Sequence, residues 1–135
     1  MAYKIVEIEG VGEVYAAKLN EAGIATTEDL LTKCAKKSGR AALAEATGIS
    51  EKLVLRWTNH ADLMRISGIA GQFAELLEAA GVDTVKEFRH RVAANLQPKL
   101  QEVNTEKHIC GRVPAVSEVE RMIAQAKELE PVIEY

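Results

Sequence analysis

The sequence has few cysteines, few aromatic residues and no excess of positive charge. Two cysteines occur among 135 residues, and neither stands in a C-x-x-C pair. This excludes a secreted scaffold built on disulfides and favours a reduced, cytoplasmic protein. Aromatic residues make up 4% of the chain, so single-stranded nucleic acid would find few stacking platforms. Because the net charge is -3, any binding to nucleic acid must depend on local features.

Long apolar runs and enzyme motifs are also missing. No stretch approaches the roughly 20 apolar residues of a membrane span, and the charged N-terminus lacks the apolar run of a signal peptide. The sequence has no Ser-His-acid order, no Walker motif and no Rossmann glycine pattern. His108 and Cys110 are the one close His/Cys pair, whereas a zinc site needs about four ligands. We therefore expect no enzyme, no metal, no cofactor and no membrane contact.

The residues that are present predict an all-α protein. The chain is 47% hydrophobic and 27% charged, and its apolar residues recur three or four positions apart in short segments. A helix is predicted over residues 13–22, and Gly23 ends it. Thr26 caps a second helix that runs to about residue 37, and a turn at residues 36–40 leads to a short helix over residues 41–47. In all, nine or ten short helices are expected in one compact array.

The chain contains an internal repeat. A shift of 68 − 10 = 58 residues lays residues 8–35 over residues 66–93 without a gap and pairs eight identical residues. Further on, Ser50 finds its equivalent at Ser117, a shift of 67, which predicts nine extra residues in the loop around residues 104–114. Two equivalent helical units are therefore expected, over residues 1–64 and 65–135.

Glycines mark the start of each unit at a spacing that has a physical reason. The pattern is G-h-G-x-x-x-A-x-x-h, where h is apolar, and it begins at Gly10. Two glycines around one apolar residue allow a tight turn in which the middle side chain packs inward, and the N–H groups of the following helix can hold a phosphate oxygen. Residues 68–71 repeat the pattern with Ala70 in place of the second glycine, and residues 48–50 form a reduced version.

At these residues the chain resembles the helix-hairpin-helix superfamily, whose hairpins commonly grip the DNA backbone without reading bases. Each half resembles a paired helix-hairpin-helix unit. The order and spacing of residues 8–12, 22–26, 47–57 and 117–129 are similar to the bacterial family catalogued as domain of unknown function 4332. Some helix-hairpin-helix proteins are lyases, which would require an activated lysine near a hairpin, and Lys18 is the nearest one here.

Two hypotheses for function follow. The resemblance implies a module that binds nucleic-acid backbone without sequence specificity; the alternative is an adaptor that joins proteins through its helical faces, with purely structural hairpins. Glu7, Glu9 and Glu13 surround the first hairpin, so the second is the better phosphate site. The candidate nucleic-acid residues are Gly68, Ile69, Ala70, Gly71, Gln72, Gly10, Val11, Gly12, Gly48, Ser50, Lys33, Lys36, Lys37 and Arg40. The sequence leaves the partner and the oligomeric state open.

Overall fold

The computed structural model describes residues 3–135, and this part of the chain is helical. A short 3-10 turn (Ile5–Glu7) precedes the first α-helix. The α-helices are α1 (Glu13–Glu21), α2 (Thr27–Cys34), α3 (Lys37–Thr47), α4 (Glu51–Leu63), α5 (Gly71–Ala79), α6 (Val85–Phe88), α7 (Ala93–Lys107) and α8 (Val116–Glu128). The predicted all-α array is confirmed, with eight α-helices among the described residues, close to the nine or ten expected.

Side chains and glycines set the helix ends, as the sequence predicts. The Asp29 N–H donates to Thr26 Oγ1 at 3.1 Å, and Asp29 Oδ2 accepts from the Thr26 N–H at 3.1 Å, which completes a capping box on α2. Thr84 caps α6 in the same way, with its hydroxyl accepting from the backbone N–H three residues on. Gly23 and Gly81 follow α1 and α5 with φ of 88° and 94°, where glycine is favoured.

The repeat is present in the structure, but the second half of each unit has a different register from the one predicted. Helices α1 and α5 begin 71 − 13 = 58 residues apart, as predicted. The buried residues of α4 and α8, however, correspond at a shift of 119 − 54 = 65 residues, so that Val54 matches Val119 and Trp57 matches Met122. The predicted equivalence of Ser50 with Ser117 is therefore wrong, because the residue that precedes α8 as its N-cap is Ala115.

The extra residues of the second unit are divided between a helix and a loop. Helix α7 has 15 residues, whereas its counterpart α3 has 11. The segment that follows it, residues 108–115, replaces residues 48–50 of the first unit. The prediction that a loop contains the whole insertion is therefore only partly right, because helical hydrogen bonding continues through Lys107.

The corner between α2 and α3 is tighter than predicted. Residues 36–40 were expected to form a turn, yet α3 already begins at Lys37. A Cβ at Gly39 would collide with the carbonyl oxygen of Lys33, so glycine allows α3 to pack against the end of α2. Arg40 is only 4% exposed, and its guanidinium donates to the carbonyls of Cys34 and Ala35 at 2.9 and 3.0 Å. The end of α2 is thus capped from within α3.

One hydrophobic core runs through both units. Leu63, Met64, Ile66 and Ile69 are buried and belong to the same cluster, although the predicted boundary at residues 64/65 passes between them. Trp57 is also buried and belongs to the same core. The two repeated units therefore pack as one array.

The C-terminal segment, residues 129–135, returns from the second unit to the first. The Glu134 N–H donates to Ala35 O at 2.7 Å, and Arg40 donates to Glu134 O at 2.8 Å. The Tyr135 hydroxyl donates to Asn59 Oδ1 at 2.9 Å. Through these hydrogen bonds, Glu134 and Tyr135 contact the end of α2, helix α3 and helix α4.

Candidate binding surface at the glycine turns

The two glycine turns, residues 8–12 and 66–70, have the same backbone conformation. Gly10 and Gly68 both have φ of 91°, a region that side chains other than glycine rarely adopt. The middle residues, Val11 and Ile69, are buried, so each turn directs its apolar side chain into the core as predicted. The same backbone bond closes each turn: Val11 N–H to Ile8 O, and Ile69 N–H to Ile66 O, both at 3.1 Å.

Different side chains support the two turns. A Cβ added at Gly10 would lie 3.6 Å from Trp57 Nε1, and one added at Gly68 would lie 3.3 Å from Met122 Cε. Trp57 also makes an edge contact with Tyr15, with ring centroids 5.1 Å apart. The first turn therefore rests on an aromatic pair, and the second rests on a flexible thioether side chain.

The first turn packs against the helix that follows the second. Gly71, the first residue of α5, is buried, and a Cβ there would collide with the carbonyl oxygen of Glu7. The same Cβ would lie 3.4 Å from Glu9 N. A phosphate approaching α5 beside Gly71 would meet this carbonyl oxygen. Ala70 and Gln72 remain exposed on either side of Gly71.

Acidic side chains lie around both turns. Glu13 is in the first turn of α1, and the Glu7 carboxylate accepts from the Lys4 N–H at 2.9 Å. Burial raises the pKa of the Cys110 thiol, and the nearby charges of Glu75 and Glu9 raise it further. Since Glu75 lies one helical turn after Gly71 on α5, the second turn has acidic neighbours as well.

The predicted basic cluster is divided by the fold. The buried Arg40 binds backbone carbonyls, and Lys33 Nζ donates to Ala22 O at 3.3 Å, near the end of α1. Arg91, which corresponds to Lys33 in the repeat, donates to Gly81 O at 2.9 Å, near the end of α5. Lys36 and Lys37 are exposed where α3 begins. Two of the four predicted basic residues therefore cap helices.

The two candidates between α3 and α4 have structural roles. Gly48 ends α3 in the left-handed conformation, with φ of 75°. The Ser50 hydroxyl accepts from the Leu53 N–H at 3.2 Å and caps α4. Both residues are exposed, but the Ser50 hydroxyl is already engaged by its own helix.

Exposed valines were not singled out in the sequence. Among residues 3–135, four large apolar side chains are exposed: Val6, Val14, Val92 and Tyr135. Val6 and Val14, exposed by 44% and 72%, lie in the 3-10 turn before the first glycine turn and in the first turn of α1. Val14 falls outside the apolar stripe that begins with Tyr15 and Ala16, a signal that could have revealed it.

Within residues 3–135, no group of three or more His, Cys, Asp or Glu side chains could hold a metal ion. In the same range, no helix is long and apolar enough to cross a bilayer.

The comparison with known proteins identifies a family. No curated protein and no solved structure matches the chain. A family profile with the description "Domain of unknown function (DUF4332)" matches residues 9–129. This span begins within the first glycine turn and includes all eight α-helices of the described residues. The chain therefore belongs to the family of the domain of unknown function 4332.

Proposed function

We propose that this chain is a non-enzymatic binding module, and that the surface around its first glycine turn binds another protein. The exposure of Val6 and Val14 on either side of this turn carries the proposal, since protein-binding patches combine exposed apolar residues with a polar rim. Glu7, Glu9 and Glu13 supply that rim. Both cysteines are free thiols, which fits a cytoplasmic location.

The use of arginine in the fold favours protein over nucleic acid as the partner. Arginine is the side chain best suited to grip phosphate, because its planar donors match the phosphate oxygens. Six of the seven arginines donate hydrogen bonds to oxygens of this chain: Arg40, Arg56, Arg65, Arg89, Arg91 and Arg112. Phosphate would therefore depend mainly on exposed lysines, in a chain whose net charge is -3.

A second candidate function is contact with nucleic-acid backbone, as the helix-hairpin-helix resemblance implies. It is supported by the matching φ of 91° at Gly10 and Gly68. The first turn is then the better site, because Gly12 is exposed whereas Gly71 packs against Glu7. Charge in the sequence favours the second turn as the phosphate site, whereas exposure in the structure favours the first.

Capture experiments with two valine variants test the protein-binding proposal. The immobilised protein is exposed to a nuclease-treated extract of its source organism, beside Val14→Asp and the matched control Val92→Asp. Val92 is 59% exposed but lies at the N-cap of α7, away from the glycine turns along the chain. We expect one defined protein to bind the wild type and Val92→Asp but not Val14→Asp. Equal capture by all three variants would contradict the proposal.

A duplex titration separates the two candidate functions. Fluorescence anisotropy is measured with a labelled DNA duplex at about 50 mM and 200 mM salt. Gly12→Glu is the informative variant, because a Cβ at Gly12 would meet nothing within 4 Å and the fold should tolerate it. The protein-binding proposal predicts no duplex binding at either salt concentration. Micromolar binding that weakens with salt and is lost in Gly12→Glu would instead establish nucleic-acid contact.

A further inference from the structure

A buried histidine lies where the two units meet. His60 on α4 is 0% exposed, and its Nε2 is 3.1 Å from Glu78 Oε2 on α5. Helix α4 ends the first unit and α5 belongs to the second. The other oxygen of Glu78 accepts from Arg56 Nε at 3.1 Å. The Glu78 carboxylate thus contacts both the Arg56 guanidinium and the buried His60 imidazole.

The His60 ring is unusual because its nitrogens are poorly hydrogen-bonded within residues 3–135. Nε2 lies 3.1 Å from Glu78 Oε2 in a contact that is badly aligned for a hydrogen bond, and Nδ1 has no partner at all in this range. Buried polar atoms in folded proteins are nearly always hydrogen-bonded. If packing alone determined the residue at this position, an apolar side chain would therefore stabilise the fold more than histidine does.

The charges that face His60 come from both helices and from the loop after α5. Burial lowers the pKa of His60 and Arg56 lowers it further, whereas Glu78 and Glu75 raise it. Asp83 lies close enough for His60 to lower its pKa, although burial, Glu87 and Glu78 raise it. Since the net direction for His60 is downward, the ring is neutral at pH 7.

The helix that carries His60 also supports the first glycine turn. Trp57 lies three residues before His60 on α4 and packs beneath Gly10 and against Tyr15. A small shift of α4 relative to α5 would therefore move the support of that turn.

We propose that His60 is a proton-sensitive contact between the two units, and that its protonation loosens α4 from α5 and from the first glycine turn. A buried imidazolium requires either water or a full counter-charge. Glu78 offers a counter-charge that Arg56 reduces, and the loss of solvation on burial outweighs it, so an imidazolium gains most by opening the interface to water. The closed state binds the proton less readily than the open state, so the contribution of His60 to closure is full above pH 6.5 and is lost as the pH falls below it.

Trp57 is the single tryptophan of the chain, so its fluorescence reports on this helix directly. Emission is recorded between pH 7.5 and 5.5, together with the hydrogen-exchange protection factor of the Val11 N–H, whose bond to Ile8 O closes the first glycine turn. On acidification we expect a red shift of the emission and a lower protection factor at Val11. Below pH 6.5 the opening equilibrium should rise by up to about tenfold per pH unit, the limit for one proton.

Histidine variants separate this effect from general acid sensitivity. His60→Leu should abolish the pH response, whereas His90→Gln and His108→Asn, at exposed positions, should retain it. Glu78→Gln is a second test should His60→Leu fold poorly. It retains the histidine and removes its counter-charge, so the closed form tolerates the proton less and opening should be larger at each pH below 6.5. An unchanged pH response in folded His60→Leu, or in Glu78→Gln, would overturn the proposal. The proton-sensitive contact does not depend on which partner binds.

Discussion

At the scale of single residues, Gly71 shows why one glycine matters more than another. It begins α5, has no left-handed conformation, and yet is buried against the carbonyl oxygen of Glu7. Gly12 is the N-cap of α1, one position earlier than Gly71 is in α5, and a Cβ there would meet nothing within 4 Å. The close contact at Gly71 comes from the packing of residues 7–9 against α5.

This difference gives a matched pair of variants. Gly71→Ala should lower the free energy of unfolding by about 1–3 kcal/mol, because the methyl group forces the first glycine turn away from α5. Gly12→Ala should lower it by only about 0.5–1 kcal/mol, since the site is open and only the preference of the N-cap for glycine over alanine is lost. Urea unfolding of both variants measures the two values. Equal effects would mean that the Glu7 contact does not hold the units together.

At the same scale, Arg40 shows how a plausible binding residue can be structural. In the sequence it belongs to the densest basic run, with Lys36 and Lys37. In the structure its guanidinium bonds the carbonyls of Cys34, Ala35 and Glu134. The contact with Glu134 spans 94 residues, so no local pattern could have predicted it.

At the scale of helices, the ends were predictable because their signals are local. The hydroxyl of Thr26 and the acid of Asp29 stand three residues apart, and this spacing alone defines the capping box. Glycines after α1 and α5 are equally local signals. The start of α3 could not be predicted in this way, because it depends on how Gly39 fits against Lys33 of the preceding helix.

The cap on α2 can be tested against a threonine in the same helix. Thr26→Ala should destabilise the protein by about 0.5–2 kcal/mol, because the Asp29 N–H loses its acceptor. Thr32 is exposed in the last part of α2 and has no capping role, so Thr32→Ala should have a much smaller effect. Thermal unfolding followed by circular dichroism compares them. A loss of stability as large in Thr32→Ala would contradict the role of the cap, because alanine is the better helix former and should not destabilise α2 at this position.

The repeat itself was predictable where the two copies kept the same length. Residues 8–35 and 66–93 match without a gap. In the structure α1 and α5 are equivalent, and α2 and α6 begin at equivalent residues, although α2 has eight residues and α6 has four. The match between α4 and α8 failed because similar short sequences occur two residues away from the true register. Burial of Val54 and Val119 fixes that register, and burial was not visible in the sequence.

At the scale of the whole molecule, the two units should unfold together. They share one core, Gly71 joins the first turn to α5, and residues 129–135 cross back to the first unit. We expect calorimetry to show one transition whose calorimetric and van't Hoff enthalpies agree. Two separable transitions would mean that the contacts between the units are weak compared with the packing inside each unit.

The candidate site was predicted in part. The glycine turns were found from their spacing, and their inward-facing residues, Val11 and Ile69, are buried as expected. The contact of Glu7 with Gly71 joins residues far apart in the sequence, and it changes which turn is open. Sequence patterns define each turn separately, whereas accessibility depends on how the two units pack.

The side chains beneath the two turns give them different chemical sensitivities. A tryptophan supports Gly10 and a methionine supports Gly68, although the two glycines have the same φ. Oxidation of Met122 to the sulfoxide would place a polar group under the second turn only. The two glycine turns thus have the same backbone conformation, but oxidation of the supporting methionine would affect only the second turn.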